Sequence, residues 1–108
     1  MSIEETIRDQ IKNHPVLIYM KGNPNQPQCG FSARATQILM SCGQKFAYVD
    51  ILSNPDIRAN LPKVSDWPTF PQLYVKGDLV GGCDIVLEMN ASGDLAQHMK
   101  DNGVALQQ

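Results

Sequence analysis

The chain has no run of lysines or arginines, and its nine basic residues are outnumbered by eleven acidic ones, for a formal charge of −2. Nothing in that balance attracts a polyanion, so nucleic acid and anionic membrane surfaces are not expected partners. Long apolar runs are missing as well, since no stretch approaches the ~20 residues of a membrane-spanning helix. The N-terminus, Met1 to Asn13, is polar and acidic, where an export signal would be basic and then apolar. The expected location is the cytoplasm. Cysteine is scarce: Cys29, Cys42 and Cys83 form an odd set. They lack the close pairs of a zinc site and the density of a secreted disulfide scaffold, so they are read one at a time. No internal repeat is present, and low complexity is confined to a frayed tail from Asn102 to Gln108. The 108 residues imply a single domain, 1–108, of simple topology.

What is present divides into short elements. Ser2-Ile3-Glu4-Glu5 matches a capping box, and Ile3, Ile7 and Ile11 recur four apart until His14-Pro15 stops an amphipathic first helix. Val16 to Met20 is a continuous apolar run that suits a strand buried on both faces. Lys21 to Gln28 carries Gly22, Pro24 and Pro27 among polar residues and reads as loop. A second helix then begins at Cys29, shows Phe31, Ala35, Ile38, Leu39 and Cys42 at helical spacing, and ends at Gly43. Cys42 therefore reads as core. Phe46 to Ile51 predicts a strand, and Asn54-Pro55 opens a short helix through Leu61. Gln72 to Val75 and Leu79 to Val80 flank a hairpin turn at Lys76-Gly77-Asp78. Asp84 suits the cap of a helix containing Ile85, Val86 and Met89, and a last helix starts near Asp94 after Gly93. The order α-β-α-β-α-β-β-α-α implies a four-stranded mixed sheet flanked by helices.

Chemistry concentrates at Cys29. A thiol at a helix N-terminus meets unpaired backbone N–H groups and the positive end of the helix dipole, which stabilise its thiolate. A buried inert cysteine is the competing reading, but Gly30 and the loop prolines replace the apolar pattern that reading needs. Three residues on, where a resolving thiol would stand, the chain has Ser32, and a serine cannot resolve a mixed disulfide. In Trp67-Pro68-Thr69-Phe70-Pro71, a cis peptide before Pro71 would leave the Phe70 N–H and C=O free to pair with an extended peptide; an ordinary trans proline fits equally well. Gly81-Gly82-Cys83-Asp84 joins a strand to a helix. It reads either as a simple turn or as a place where a ligand approaches the backbone, with Asp84 available to an ammonium group. Lys21 and Arg58 are candidate carboxylate ligands, although each taken singly is also an ordinary surface charge.

These three motifs, in this order and with Lys21 eight residues before the cysteine, resemble the single-domain monothiol glutaredoxins of the bacterial type. The resemblance runs from about Ile3 to Met99 and implies a thioredoxin-like fold. It also implies a glutathione site in which Lys21 and Arg58 hold the glycine carboxylate. In that site the Phe70 backbone, before a cis Pro71, pairs with the cysteinyl part, and the Cys83 backbone and Asp84 side chain take the γ-glutamyl end. Gln72 and Lys63 are further candidates for the same groove, and Cys83 acts in some relatives as a second redox cysteine.

A [2Fe–2S] cluster takes four ligands, usually thiolates, and this chain offers one suitably exposed cysteine. Two chains and two glutathione molecules supply four. The resemblance implies this role: a labile cluster bridging a homodimer and passed to apo iron–sulfur proteins, with heterodimers formed with BolA-type proteins. The alternative is a glutathione-dependent oxidoreductase in which Cys29 attacks a glutathionylated protein and a second glutathione resolves it. In dithiol relatives the loop corresponding to Lys21–Gln28 is shorter, and the resemblance links its extension to poor turnover.

Overall fold

The fold is organised around the strand formed by the apolar run. In the computed structural model, which describes residues 2–41 and 45–103, β1 (Val16–Met20) has all five side chains buried. It lies inside a sheet of order β4-β1-β5-β6. β4 (Ala47–Asp50) pairs with it in parallel, β5 (Gln72–Val75) pairs with it antiparallel, and β6 (Asp78–Gly81) closes the hairpin with β5. Because side chains alternate along a strand, β1 serves two cores. Val16, Ile18 and Met20 pack with Ala35, Ile38 and Leu39 of α2 (Gly30–Ser41), Val86 of α4 (Cys83–Ser92), and Leu95 and Met99 of α5 (Asp94–Asp101). Leu17 and Tyr19 face the other way, onto Ile7 and Ile11 of α1 (Ile3–Asn13) and Ile57 and Leu61 of α3 (Pro55–Ser65). The result is a mixed sheet between two helical layers, as expected from the element order. No helix among the described residues is long and apolar enough to cross a membrane.

The cap reading at α1 holds: the Ser2 hydroxyl oxygen accepts the Glu5 N–H at 3.1 Å. The hairpin turn is also as read, with Lys76 at φ 52 and Gly77 at φ 87. Elsewhere the boundaries shift for local reasons. The segment Lys21–Gln28 is not plain loop but contains a two-stranded ladder, β2 (Gly22–Asn23) with β3 (Gln26–Pro27). The Asn23 Oδ1 accepts the N–H groups of both Asn25 and Gln26 at 2.9 Å and pins the turn between them. Gly22 is needed there: its φ is +88, and a β-carbon would lie 2.5 Å from the Gln26 carbonyl oxygen. α3 runs past Pro62 to Ser65 and closes when Asp66, left-handed at φ 55, donates its N–H to the Pro62 carbonyl. That proline falls in the last turn, where its missing donor costs one helical bond only.

β4 is shorter than the expected Phe46–Ile51, and β6 longer than Leu79–Val80. Asp84 is not the cap of α4. Gly82, extended at φ −95 and ψ −164, is the N-cap and accepts the Val86 N–H at 3.0 Å, which leaves Asp84 in the first helical turn. Asn102 caps α5, and its side-chain amide donates to the His98 carbonyl at 2.7 Å. The expectations that Cys42 is core and that Gly43 ends the second helix lie outside the described residues.

Candidate functional site

The carbonyl of Cys29 accepts the Ala33 N–H at 2.9 Å, the first bond of α2, so Cys29 is the N-cap residue of that helix. Its thiol sits below its ordinary pKa. The Ser32 N–H contributes most to that shift, followed by the Phe31 N–H, the positive charge of Lys21 and the Ser32 hydroxyl, against the opposing effect of burial. These are donors aimed at a thiolate. Ser32 is itself completely buried, and its hydroxyl oxygen accepts the Lys21 N–H at 3.1 Å. The residue in the position of a resolving thiol thus ties the end of β1 to the helix that presents the cysteine.

A groove of about 680 Å³ opens beside this thiol. Lys21 enters it from the end of β1, Arg58 from α3, Phe70 from the segment before β5, and Cys83 and Asp84 from the start of α4. Cys29, Lys21, Arg58, Phe70, Cys83 and Asp84 therefore share one concavity. The Phe70–Pro71 peptide is cis, and the Phe70 N–H and C=O make no hydrogen bond among the described residues. Two cations and one carboxylate line the same cleft, so it can orient a ligand that carries opposite charges at its ends. Cys83 is buried and differs from Cys29: burial, the Asp84 carboxylate and Cys29 itself push its thiol up, with Arg34 opposing. Among the described residues no three His, Cys, Asp or Glu side chains converge to hold a metal ion.

Two expected groove residues do not belong to it. Lys63 is exposed on α3 and does not line the cleft. Gln72 is completely buried, and its amide nitrogen donates to the carbonyls of Trp67 at 2.9 Å and Thr69 at 3.1 Å, while its oxygen accepts the Tyr74 hydroxyl at 2.9 Å. It braces the wall from behind. Sequence reading missed Asp50, whose carboxylate accepts the N–H groups of Gly22 at 3.0 Å and Leu52 at 2.8 Å and so anchors the β2–β3 hairpin beside Lys21. The loop glycine at 22 was the available signal, since its backbone has to be held from across the sheet end. Trp67 also lines the groove, and its indole nitrogen is buried without a hydrogen-bond partner, 3.5 Å from where a β-carbon on Gly82 would stand.

The glutaredoxin family model matches residues 16–80, from β1 through most of β6. Glutaredoxin 4 of Escherichia coli K12 is 63% identical over 97 residues, covering 90% of this chain and 84% of that protein. A monomeric truncated mutant of Trypanosoma brucei 1-C-Grx1 superposes with a TM-score of 0.89 at 37% identity, covering 100% of this chain and 98% of the other. A buckwheat glutaredoxin–glutathione complex shares the fold with a TM-score of 0.82 at 22% identity, over 94% of this chain and 91% of that one. The thioredoxin-like fold expected from the motifs is confirmed by these likenesses. With the family model spanning most of the sheet and a relative identical at more than half of all aligned positions, this chain belongs to the glutaredoxin family.

Proposed function

We propose that this chain is a monothiol glutaredoxin that binds glutathione in the groove beside Cys29 and, as a homodimer, carries a [2Fe–2S] cluster to acceptor proteins. The carrying observation is the pairing of one thiolate-stabilised cysteine with Ser32, with no converging set of metal ligands among the described residues. One copy cannot close a four-thiolate ligand set, whereas two Cys29 thiolates and two glutathione thiolates do. In the groove Lys21 and Arg58 hold the glycine carboxylate, and the free Phe70 N–H and C=O pair with the cysteinyl residue. The Cys83 backbone and the Asp84 carboxylate receive the γ-glutamyl end. The partners on this reading are a second copy of the chain, a BolA-type protein and apo iron–sulfur acceptors. We place the protein in the cytoplasm, where thiolates stay reduced.

A second reading is favoured by the lowered thiol pKa of Cys29. In it the Cys29 thiolate attacks the glutathionyl sulfur of a protein mixed disulfide, releasing the protein thiolate. A second glutathione thiolate then attacks the Cys29–glutathione disulfide, leaving oxidised glutathione and free Cys29. Purification without oxygen and with glutathione present separates the two. Cluster carriage gives a brown dimer with one cluster and two glutathione molecules per two chains, and that dimer loads an apo-ferredoxin. A colourless monomer after reconstitution, turning over a small glutathione mixed disulfide rapidly, would establish the enzyme instead.

A further inference from the structure

A second concavity, of about 490 Å³, lies away from the cysteine, bounded by α1, the end of α3 and the β5–β6 hairpin. Ile11, Val64, Tyr74 and Leu79 contribute its apolar surface, while Arg8, Lys12 and Lys76 stand around it with Asp78 as the one acid. Three of the nine Lys and Arg residues of a net acidic chain therefore gather at one groove. None of the three cationic side chains makes an ion pair or a side-chain hydrogen bond among the described residues.

The fold sets where these cations stand. Arg8 and Lys12 are four apart on α1 and so share one face of the helix, Lys12 in its last turn. Lys76 is left-handed at φ 52, at a turn position that asparagine, aspartate or glycine occupies with less strain. Its N–H donates to the Pro15 carbonyl at 2.8 Å, one step beyond the Val16–Val75 pair, so the β1–β5 ladder carries the turn to the segment that follows α1.

We propose that this groove is a docking site for an acidic peptide segment of a partner protein, with an apolar side chain seated on Val64 and Leu79 and carboxylates reaching Arg8, Lys12 and Lys76. Charge complementarity selects the sign of the partner, and the half-buried Val64 and Leu79, which a nucleic-acid backbone would leave uncovered, select a peptide. The inference does not depend on what Cys29 carries.

The test uses the full chain and a fluorescein-labelled hexapeptide of alternating glutamate and leucine, followed by anisotropy and by amide NMR. The peptide is expected to shift the amides of Ile11, Gly77 and Leu79 and to bind more weakly as salt rises. The double variant R8Q/K12Q should bind it ~10-fold more weakly, the combined share of two solvent-exposed ion pairs, with an unchanged circular dichroism spectrum. A lysine–leucine counterpart should not bind. Equal binding by R8Q/K12Q, or shifts confined to the Cys29 groove, would overturn the assignment. So would tighter binding of a short oligothymidylate at the same amides, which would mark a phosphate site.

Discussion

The Ser32 hydroxyl and the Lys21 backbone N–H meet at 3.1 Å, so the residue in the position of a resolving thiol also holds the backbone of the lysine whose charge lowers the Cys29 pKa. Ser32→Ala removes the acceptor of the Lys21 N–H together with one of the groups that lower the Cys29 pKa. The Ser32 backbone N–H, the largest contributor, stays. The expected outcome is a small upward shift in the Cys29 pKa and a loss of ~1–2 kcal/mol of stability from the stranded donor. The pH dependence of thiolate absorbance and urea unfolding measure the two. Ser32→Cys places a thiol three residues after Cys29 on the first helical turn, so mild oxidation should remove two free thiols per chain in a titration. An undiminished thiol count would contradict that geometry.

Cys29 and Cys83 line one groove yet are pushed in opposite directions, the first down by N–H donors and a lysine, the second up by burial and a carboxylate. Alkylation depends on the thiolate fraction. As pH rises, Cys29 should therefore react with iodoacetamide first, with a midpoint below that of an ordinary thiol, and Cys83 only at higher pH. Peptide mass spectrometry after timed labelling reads both sites at once. Equal rates at neutral pH, or Cys83 ahead of Cys29, would refute the assignment of the reactive thiol.

Gln72 makes three hydrogen bonds from a completely buried position and joins β5 to the carbonyls of Trp67 and Thr69. Gln72→Leu keeps similar bulk but takes the amide donor from the Thr69 carbonyl and the acceptor from the Tyr74 hydroxyl, and leaves the Trp67 carbonyl with the Ser65 hydroxyl at 3.4 Å. We expect a loss of ~3 kcal/mol in chemical denaturation, together with weaker glutathione binding as the wall from Trp67 to Phe70 loosens. Unchanged stability would mean that other groups satisfy those carbonyls.

How far the sequence was legible follows from how local each signal is. β1 was readable because five consecutive apolar residues admit burial on both faces, and Cys29 because a loop with Gly22, Pro24 and Pro27 has to deliver it to a helix start. The β2–β3 ladder was hidden, since two-residue strands have no period and depend on one asparagine side chain. Gln72 is a groove candidate only through the family resemblance, and the fold turns it inward. Asp84 reads as a cap because the glycine before Cys83 gives no side-chain signal. The basic groove could not be read at all, because Arg8, Lys12 and Lys76 become neighbours only when the hairpin turn docks on Pro15.

The clamp and the cluster ligand can be separated by mutation. Lys21 and Arg58 reach the groove from different elements. Lys21→Ala and Arg58→Ala should therefore each weaken glutathione binding by ~10-fold or more, the share of one charge-assisted hydrogen bond, and each should shorten the life of the holo-dimer through loss of that ligand. Lys21→Ala should in addition raise the Cys29 pKa, because its positive charge helps to lower it. Arg58→Ala should leave that pKa unchanged, since Arg58 is not among its causes. Cys29→Ser gives the complementary result: glutathione still binds, the fold is kept because the residue sits at a surface helix terminus, and no iron or sulfide is retained. Calorimetry with glutathione, thiol titration and iron content on the three variants distinguish the roles. A Cys29→Ser protein with wild-type iron and sulfide content would remove Cys29 from the ligand set and with it the proposed carrier function.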